Sequence, residues 1–257
     1  MKWEEMTSKE LREFAKRKDA VAVMGIGCVE KHGDHLPLGT DSLTVYKVVE
    51  AATERESAVL LPPLWHGILT GSKQFPGSIN IKRDVLFAYL ENVCDEVSAN
   101  GLKKILIVNG HGGNSGLLAT FVKSTLHREV DYALYVMNGW SPPEGWDGHG
   151  GAMETSLIMV NYPNLVKMRE VKGPMKSNPS PIPDVITPVD WIAICPNGYT
   201  DDPTAASVEL GKRVFGAWVE GVMKAIQRIK EDAIVPEIMG RMRRVPYEPY
   251  SPGTTTR

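Results

Sequence analysis

Apolar residues fall into short continuous runs separated by longer segments in which they recur every three or four positions, an alternation that predicts strands interleaved with helices. Thr7 and Glu10 form a capping-box pattern ahead of Leu11, Phe14 and Ala15, which predicts a short amphipathic helix over 8–17. Ala20 to Ile26 is a valine-rich run of strand length with no polar face, as a parallel strand buried on both sides requires, and it ends in a polar loop over 27–40. A helix is expected from Ser42 to about Glu56, then a short strand from Val59 to Leu61 and a Pro- and Gly-punctuated loop reaching Ile81. Asp84 is placed to cap the next helix. Its stripe of Val85, Leu86, Tyr89, Leu90, Val93 and Val97 runs out at Gly101, where a left-handed terminating residue belongs. Lys104 to Val108 reads as the central strand, running directly into Asn109–Asn114 and a helix near Ser115. Tyr132 to Met137 reads as a further strand and Met153 to Tyr162 as a helix.

Beyond that point the pattern breaks. Five prolines, at 174, 179, 181, 183 and 188, exclude regular structure over 173–188, which reads as a surface excursion. Asp202 followed by Pro203 predicts a helix start, with the helix reaching Lys230, and a Pro-rich tail from about 235 reads as irregular. Strand–helix alternation implies an α/β fold with a mainly parallel sheet covered on both faces, and one domain over residues 1–257 is the expectation. Such sheets bind ligands beyond the carboxyl ends of their strands. The two most polar loops, 27–41 and 109–114, both leave such ends and can converge.

Charge and composition narrow the function. Lys and Arg total 29 against 31 Asp and Glu, so no global positive field exists to attract nucleic acid or anionic lipid. The longest nearly apolar stretch, Ala20 to Val29, is about half of the roughly 20 residues a membrane-spanning helix needs. The N-terminus mixes both charge signs and offers no apolar segment of a secretory signal, so a cytoplasmic location is expected. Cys28, Cys94 and Cys195 are widely spaced and include no CxxC pair, which indicates neither a disulfide framework nor a zinc ribbon.

The candidate chemistry lies in the loops. Glu30, His32, His35 and Asp41 fall within twelve positions, His111 sits in a glycine-flanked turn, and Asp147, His149 and Glu154 form a third cluster. Carboxylates and imidazoles without a thiolate requirement suit zinc, manganese or ferrous iron. Two blander roles compete, since Asp41 could cap the following helix and His35 could bond its own loop. Three clusters, each in a loop after an expected strand, are harder to explain as independent capping. The glycine run at 109–114 also suits a nucleotide-binding module, although neither GxGxxG nor GxxxxGK[ST] is satisfied. A thiolate nucleophile at Cys28 is a third reading, against which stands the usual inertness of a cysteine at a strand end.

Residues 27–41, GCVEKHGDHLPLGTD, resemble the G-S-x-E-Q-H-G-x-H-L-P-L-x-T-D signature of the creatininase family of metal-dependent hydrolases. Phe75–Ser78 is similar to that family's F-P-G-T, Asn109–Asn114 to N-G-H-G-G-N, Asp147–Ser156 to D-x-H-A-G-x-x-E-T-S, and Gly198 with Asp202-Pro203 to a late G-D-P element. The resemblance implies a three-layer α/β/α sandwich, commonly assembled as a homo-oligomer, a hexamer. It further implies two divalent ions (Zn, Mn or Fe), with Glu30 and His111 on one, His32 and Glu154 on the other and Asp41 bridging. His149 and Glu154 are then the catalytic candidates, and His35, Ser72, Phe75, Gly112, Gly113, Asn114 and Trp146 the substrate-binding ones. The activity implied is hydrolysis of a C–N amide-type bond in a small polar, cyclic molecule, with keto-inositol (3-dehydro-scyllo-inosose) C–C ring hydrolysis as the alternative within the family. Creatinine-hydrolysing members carry an acidic residue two positions after the motif histidine, where this chain has Gly113, which argues against creatinine itself.

Overall fold

Period-two alternation along the central strands decides the layering of the molecule. The computed structural model describes residues 1–69, 71–138, 148–172 and 177–244. In it β1 (Ala22–Ile26), β2 (Val59–Leu60), β3 (Lys104–Asn109) and β4 (Ala133–Asn138) form an all-parallel sheet in the order β2-β1-β3-β4. Ala22 stands opposite both Val59 and Ile105, and Lys104 opposite Ala133.

The helices are α1 (Ser8–Ala15), α2 (Thr40–Glu56), α3 (Arg83–Ala99), α4 (Ser115–Ser124), α5 (Ala152–Asn161), α6 (Asp190–Ile194), α7 (Val208–Glu231) and α8 (Ile234–Arg244). Successive strand side chains point to opposite faces. Ala22, Met24, Ile26, Ile105 and Ile107 accordingly pack with Phe14 of α1, Leu86 and Leu90 of α3 and Phe121 of α4. Val23, Leu106 and Val108 pack on the other face with Val45, Val48 and Val49 of α2, Leu157 of α5 and Val214, Trp218 and Val222 of α7. Each such aliphatic side chain contributes about 1.5–3 kcal/mol on full burial. The product is a three-layer α/β/α sandwich. From β1 the chain crosses through α2 to β2 on one side, then through α3 to β3 on the other, so the order reverses at β1 and a crevice opens beyond the ends of β1 and β3.

The capping box of α1 forms as expected, with the Thr7 side chain accepting from the Glu10 amide. Gly101 takes the left-handed conformation, at φ +97°. Other boundaries differ. α2 starts at Thr40 with Gly39 at its cap position, which places Asp41 inside the first turn instead of ahead of it. α3 is preceded by Lys82, and Asp84 lies in its first turn, where it complements the helix dipole without capping. The helix expected from Pro203 is two elements. Asp202 caps only the short turn Pro203–Ala205, the chain then extends, and Ser207 caps α7. α5 causes the break, because the Ser207 amide donates to Ser156 Oγ at 2.9 Å and redirects the chain there. Of the tail expected to be irregular from about 235, the part up to Arg244 instead belongs to α8, whose first amides, Ile234 and Val235, donate to the Asp232 carboxylate, and residues 245–257 lie outside the described residues. Pro236 is tolerated because it falls within the first turn. Residues 177–188 carry neither helix nor strand, as their prolines require.

Candidate metal centre

The residues that follow β1 and β3, Gly27 and Gly110, admit the start of α2 between the two strand ends. A Cβ on Gly27 would lie 2.4 Å from the Ser42 amide nitrogen, and one on Gly110 would lie 2.6 Å from Val45 Cβ. Ser42 Oγ fastens this wedge by donating to the carbonyls of Cys28 (3.1 Å) and Trp65 (2.8 Å). Asp41 is thereby lowered into the crevice. The loop after β3 is shaped by Asn109, whose side chain accepts from the His111 amide (3.1 Å) and donates to the His111 carbonyl (2.8 Å). Asn114 ties the loops together, donating to Gly27 O at 3.1 Å and accepting from the Ile68 amide at 2.9 Å.

The two oxygens of Asp41 face two different groups. Oδ2 lies 2.8 Å from His111 Nδ1, which is itself 3.1 Å from Glu30 Oε1. Oδ1 lies 3.1 Å from His32 Nε2, which is 3.6 Å from Glu154 Oε2. Each histidine is oriented by a backbone carbonyl through its other nitrogen: His32 Nδ1 by Glu30 O (3.2 Å), His111 Nε2 by Ile68 O (3.0 Å) and His149 Nε2 by Lys31 O (2.7 Å). The inward nitrogens are left for another partner, the outer-sphere arrangement usual for metal-ligating histidines. Ser72 Oγ donates to Glu30 Oε2, and the Gly150 amide donates to Glu154 Oε2 at 2.6 Å. Three overlapping donor groups result: Cys28, Glu30, Asp41 and His111; His32, Asp41 and Glu154; and Glu30, His32 and His149, each with its ligand atoms within 4.8 Å of one another.

Burial sets the electrostatics. It pushes the carboxyls of Glu30 and Asp41 up, but the neighbouring His111 and His32 outweigh it and both groups end low, Asp41 well below the usual range. Burial likewise pushes His32 and His111 down, and the facing carboxylates overcome it and raise each to about 10. Glu154 is raised by burial to about 7, and His149 is lowered by burial and by the His32 charge to about 4. Three buried carboxylates converge where none of the described residues lining the cavity is Lys or Arg. In the isolated chain only protons on the two imidazoles offset them. Carboxylates and imidazoles in this ratio suit divalent zinc, manganese or iron, and such cations would neutralise charge that is costly to bury alone.

The description "Creatinine amidohydrolase" belongs to the family model, named Creatininase, that matches residues 4–226. This chain belongs to the creatininase family. It is 29% identical over 250 residues to creatinine amidohydrolase of Pseudomonas putida, covering 87% of this chain and 95% of that protein. It is 30% identical over 227 residues to mycofactocin precursor peptide peptidase of Mycolicibacterium smegmatis, covering 82% and 86%. Two solved creatininase structures, one described as the Mn form and one as a mutant of Zn-Zn type, superpose with TM-scores of 0.78 and 0.77. Both are 26% identical, over 88% of this chain and 97% of theirs. The chain is therefore a creatininase-family hydrolase.

A cavity of about 530 Å³ opens over the centre, lined by Glu30, Asp41, His111, Gly112, Gly113, His149 and Glu154 among others. Of the remaining residues singled out in the sequence, Ser72 reaches the Glu30 carboxylate from behind. His35, Phe75 and Asn114 stand off the cavity: His35 is buried against Thr155 Oγ1 at 2.9 Å, Phe75 lies under the Lys31 ammonium at 4.8 Å, and Asn114 joins loops. Trp146 and Asp147 lie outside the described residues. Cys28 is fully buried, and burial together with the Asp41 and Glu30 carboxylates pushes its thiol far up, which removes the nucleophile reading. The nucleotide reading weakens too, because the amides of His111 and Asn114 already bond within the loop. Trp191 and Thr200, which the sequence reading missed, also line the cavity. Trp191 meets His149 edge-on at 5.3 Å, and Thr200 Oγ1 accepts from the His149 amide at 2.8 Å. Trp191 lies in a segment with no periodic or motif signal, whereas Thr200 falls inside the late element between Gly198 and Asp202-Pro203, which marked its neighbourhood but not the residue itself.

Proposed function

We propose that this hydrolase cleaves a C–N amide-type bond in a small polar, cyclic substrate with the help of two divalent ions. Glu30 and His111 would hold one ion, His32 and Glu154 the other, and Asp41 both. The observation that carries the reading is the division of labour within Asp41, each of whose oxygens faces its own histidine–carboxylate pair. Bound there, the ions would supply Lewis-acid polarisation of the scissile carbonyl and a lowered pKa for water.

The chain's own contribution is proton handling and positioning. With Nε2 committed to Lys31 O, His149 presents Nδ1 to the cavity, 3.9 Å from Glu30 Oε1, and burial leaves that nitrogen unprotonated near neutrality, with its lone pair turned to the cavity. Thr200 pins the His149 backbone from both sides, with its amide donating to His149 O at 2.8 Å and its hydroxyl accepting from the His149 amide. Trp191 backs the ring. Gly112 leaves open space beside the centre, whereas a side chain at 113 would start 2.5 Å from His111 Nε2. An acidic residue therefore does not fit at 113 in this loop conformation, which supports a substrate other than creatinine.

The test is hydrolysis of a panel of cyclic amides, formamides and keto-cyclitols by protein loaded separately with zinc, manganese or iron. Chelator-reversible turnover of an amide supports the reading. Turnover confined to keto-cyclitols moves the broken bond to C–C, and chelator-resistant turnover removes the ions from the chemistry.

A further inference from the structure

Cys28 stands where the resemblance has serine, and the two-ion reading leaves it unused. Its Sγ lies 3.1 Å from Asp41 Oδ2, the same oxygen that His111 Nδ1 approaches at 2.8 Å. Sγ, a Glu30 oxygen, an Asp41 oxygen and a His111 nitrogen all lie within 4.8 Å of one another, and all four residues are buried. Four protein donors make a closed tetrahedral zinc position, whereas the group on the other side of Asp41, His32, Asp41 and Glu154, has three and leaves a place open. Cys28 is absent from the cavity lining, so its sulfur faces the ligand cluster and not the substrate space.

We propose that Cys28 is the fourth protein ligand of the ion held by Glu30, Asp41 and His111, a sulfur donor that makes this position select zinc over manganese. The proposal rests on the two-ion reading above. When the S–metal bond forms, the thiol proton, which hydrogen-bonds Asp41 Oδ2 in the metal-free chain, leaves to solvent; no electrons are transferred and no oxidant is needed. Selectivity follows from ligand softness, since a thiolate favours zinc, whereas carboxylate and water are the donors that suit manganese.

X-ray absorption on the zinc-loaded full chain is the test. One sulfur for every two zinc ions at about 2.3 Å, beside nitrogen and oxygen at about 2.0–2.2 Å, is the expected result. Cys28→Ser should keep both zinc ions, lose the sulfur shell, and weaken zinc binding about 10–100-fold in chelator competition while leaving manganese affinity within about twofold. Cys94 and Cys195 remain as internal controls. Two bound zinc ions with only nitrogen and oxygen neighbours, or equal weakening of both metals in Cys28→Ser, overturn the proposal alone and leave Cys28 as a hydrogen-bond donor to Asp41. A chain that binds fewer than two zinc ions overturns the two-ion reading and this proposal with it. The measurement on the unsubstituted chain decides the matter even if the variant fails to fold.

Discussion

Asp41 separates a structural from a chemical explanation of the polar loop it closes. A capping role is excluded by position, because Gly39 occupies the cap and the Asp41 carboxylate turns into the crevice toward His32 and His111. Asp41→Asn preserves shape and helix start but removes the bridging charge. It should fold with an unchanged circular dichroism spectrum and hold at most one ion per chain by elemental analysis, with turnover falling at least about 100-fold. Full metal content in that variant would return Asp41 to a structural role. His149→Ala separates proton carrier from ligand: with both ions retained, turnover should fall about 10²- to 10⁴-fold, while loss of an ion equivalent would make His149 a ligand through its contact with Glu30 and His32. The side chains that converge here were legible in the sequence because they are carboxylates and imidazoles gathered over 30–41, at 111 and over 147–154, each group following an expected strand. What was illegible were the carbonyls of Lys31 and Ile68 that orient the histidines, since any residue supplies a carbonyl, and Trp191, which reaches the site from a segment with no pattern of its own.

At the scale of elements, the centre depends on how closely α2 approaches the strand ends. Gly27→Ala introduces a methyl 2.4 Å from the Ser42 amide, a backbone atom that cannot rotate away. The first turn of α2 must retreat and carry Asp41 with it. The variant should lose about 1–3 kcal/mol in denaturant unfolding, as overpacking does, and should lose metal affinity out of proportion to that change. Unaltered metal binding would mean that the placement of Asp41 does not depend on the wedge. Element type was largely legible, because period-two and period-3.6 patterns are local. Boundaries set by distant contacts were not. α2 begins early because Ser42 is recruited by the Cys28 and Trp65 carbonyls, and the stretch after Pro203 splits because Ser207 is recruited by Ser156.

For the whole molecule, the reversal of strand order at β1 brings loops 27–39 and 110–114 to one crevice, and strand–helix alternation alone implied such a place without saying which strands would flank it. The charge gathered there makes stability depend on metal and pH together. His32 and His111, raised from 6.5 to about 10, stabilise the metal-free fold fully below pH 6.5 and lose that contribution as pH rises through 10. Glu30 and Asp41, held low, contribute above the ordinary carboxylate range and lose it on acidification. Glu154, at about 7, finishes its titration at the lower edge of the alkaline window, and His149, at about 4, titrates below it. Metal-free protein should therefore unfold at progressively lower temperature from pH 7 to pH 10, a trend that metal-loaded protein, with its imidazoles already neutral, does not share. Parallel melting curves for the two forms across that range would contradict the assignment. Anomalous diffraction from metal-loaded crystals decides whether Asp41 joins two ions. Two peaks per chain are expected, one beside Glu30 and His111 and one beside His32 and Glu154, with Asp41 touching both; a single peak, or peaks away from Asp41, would rule the two-ion centre out.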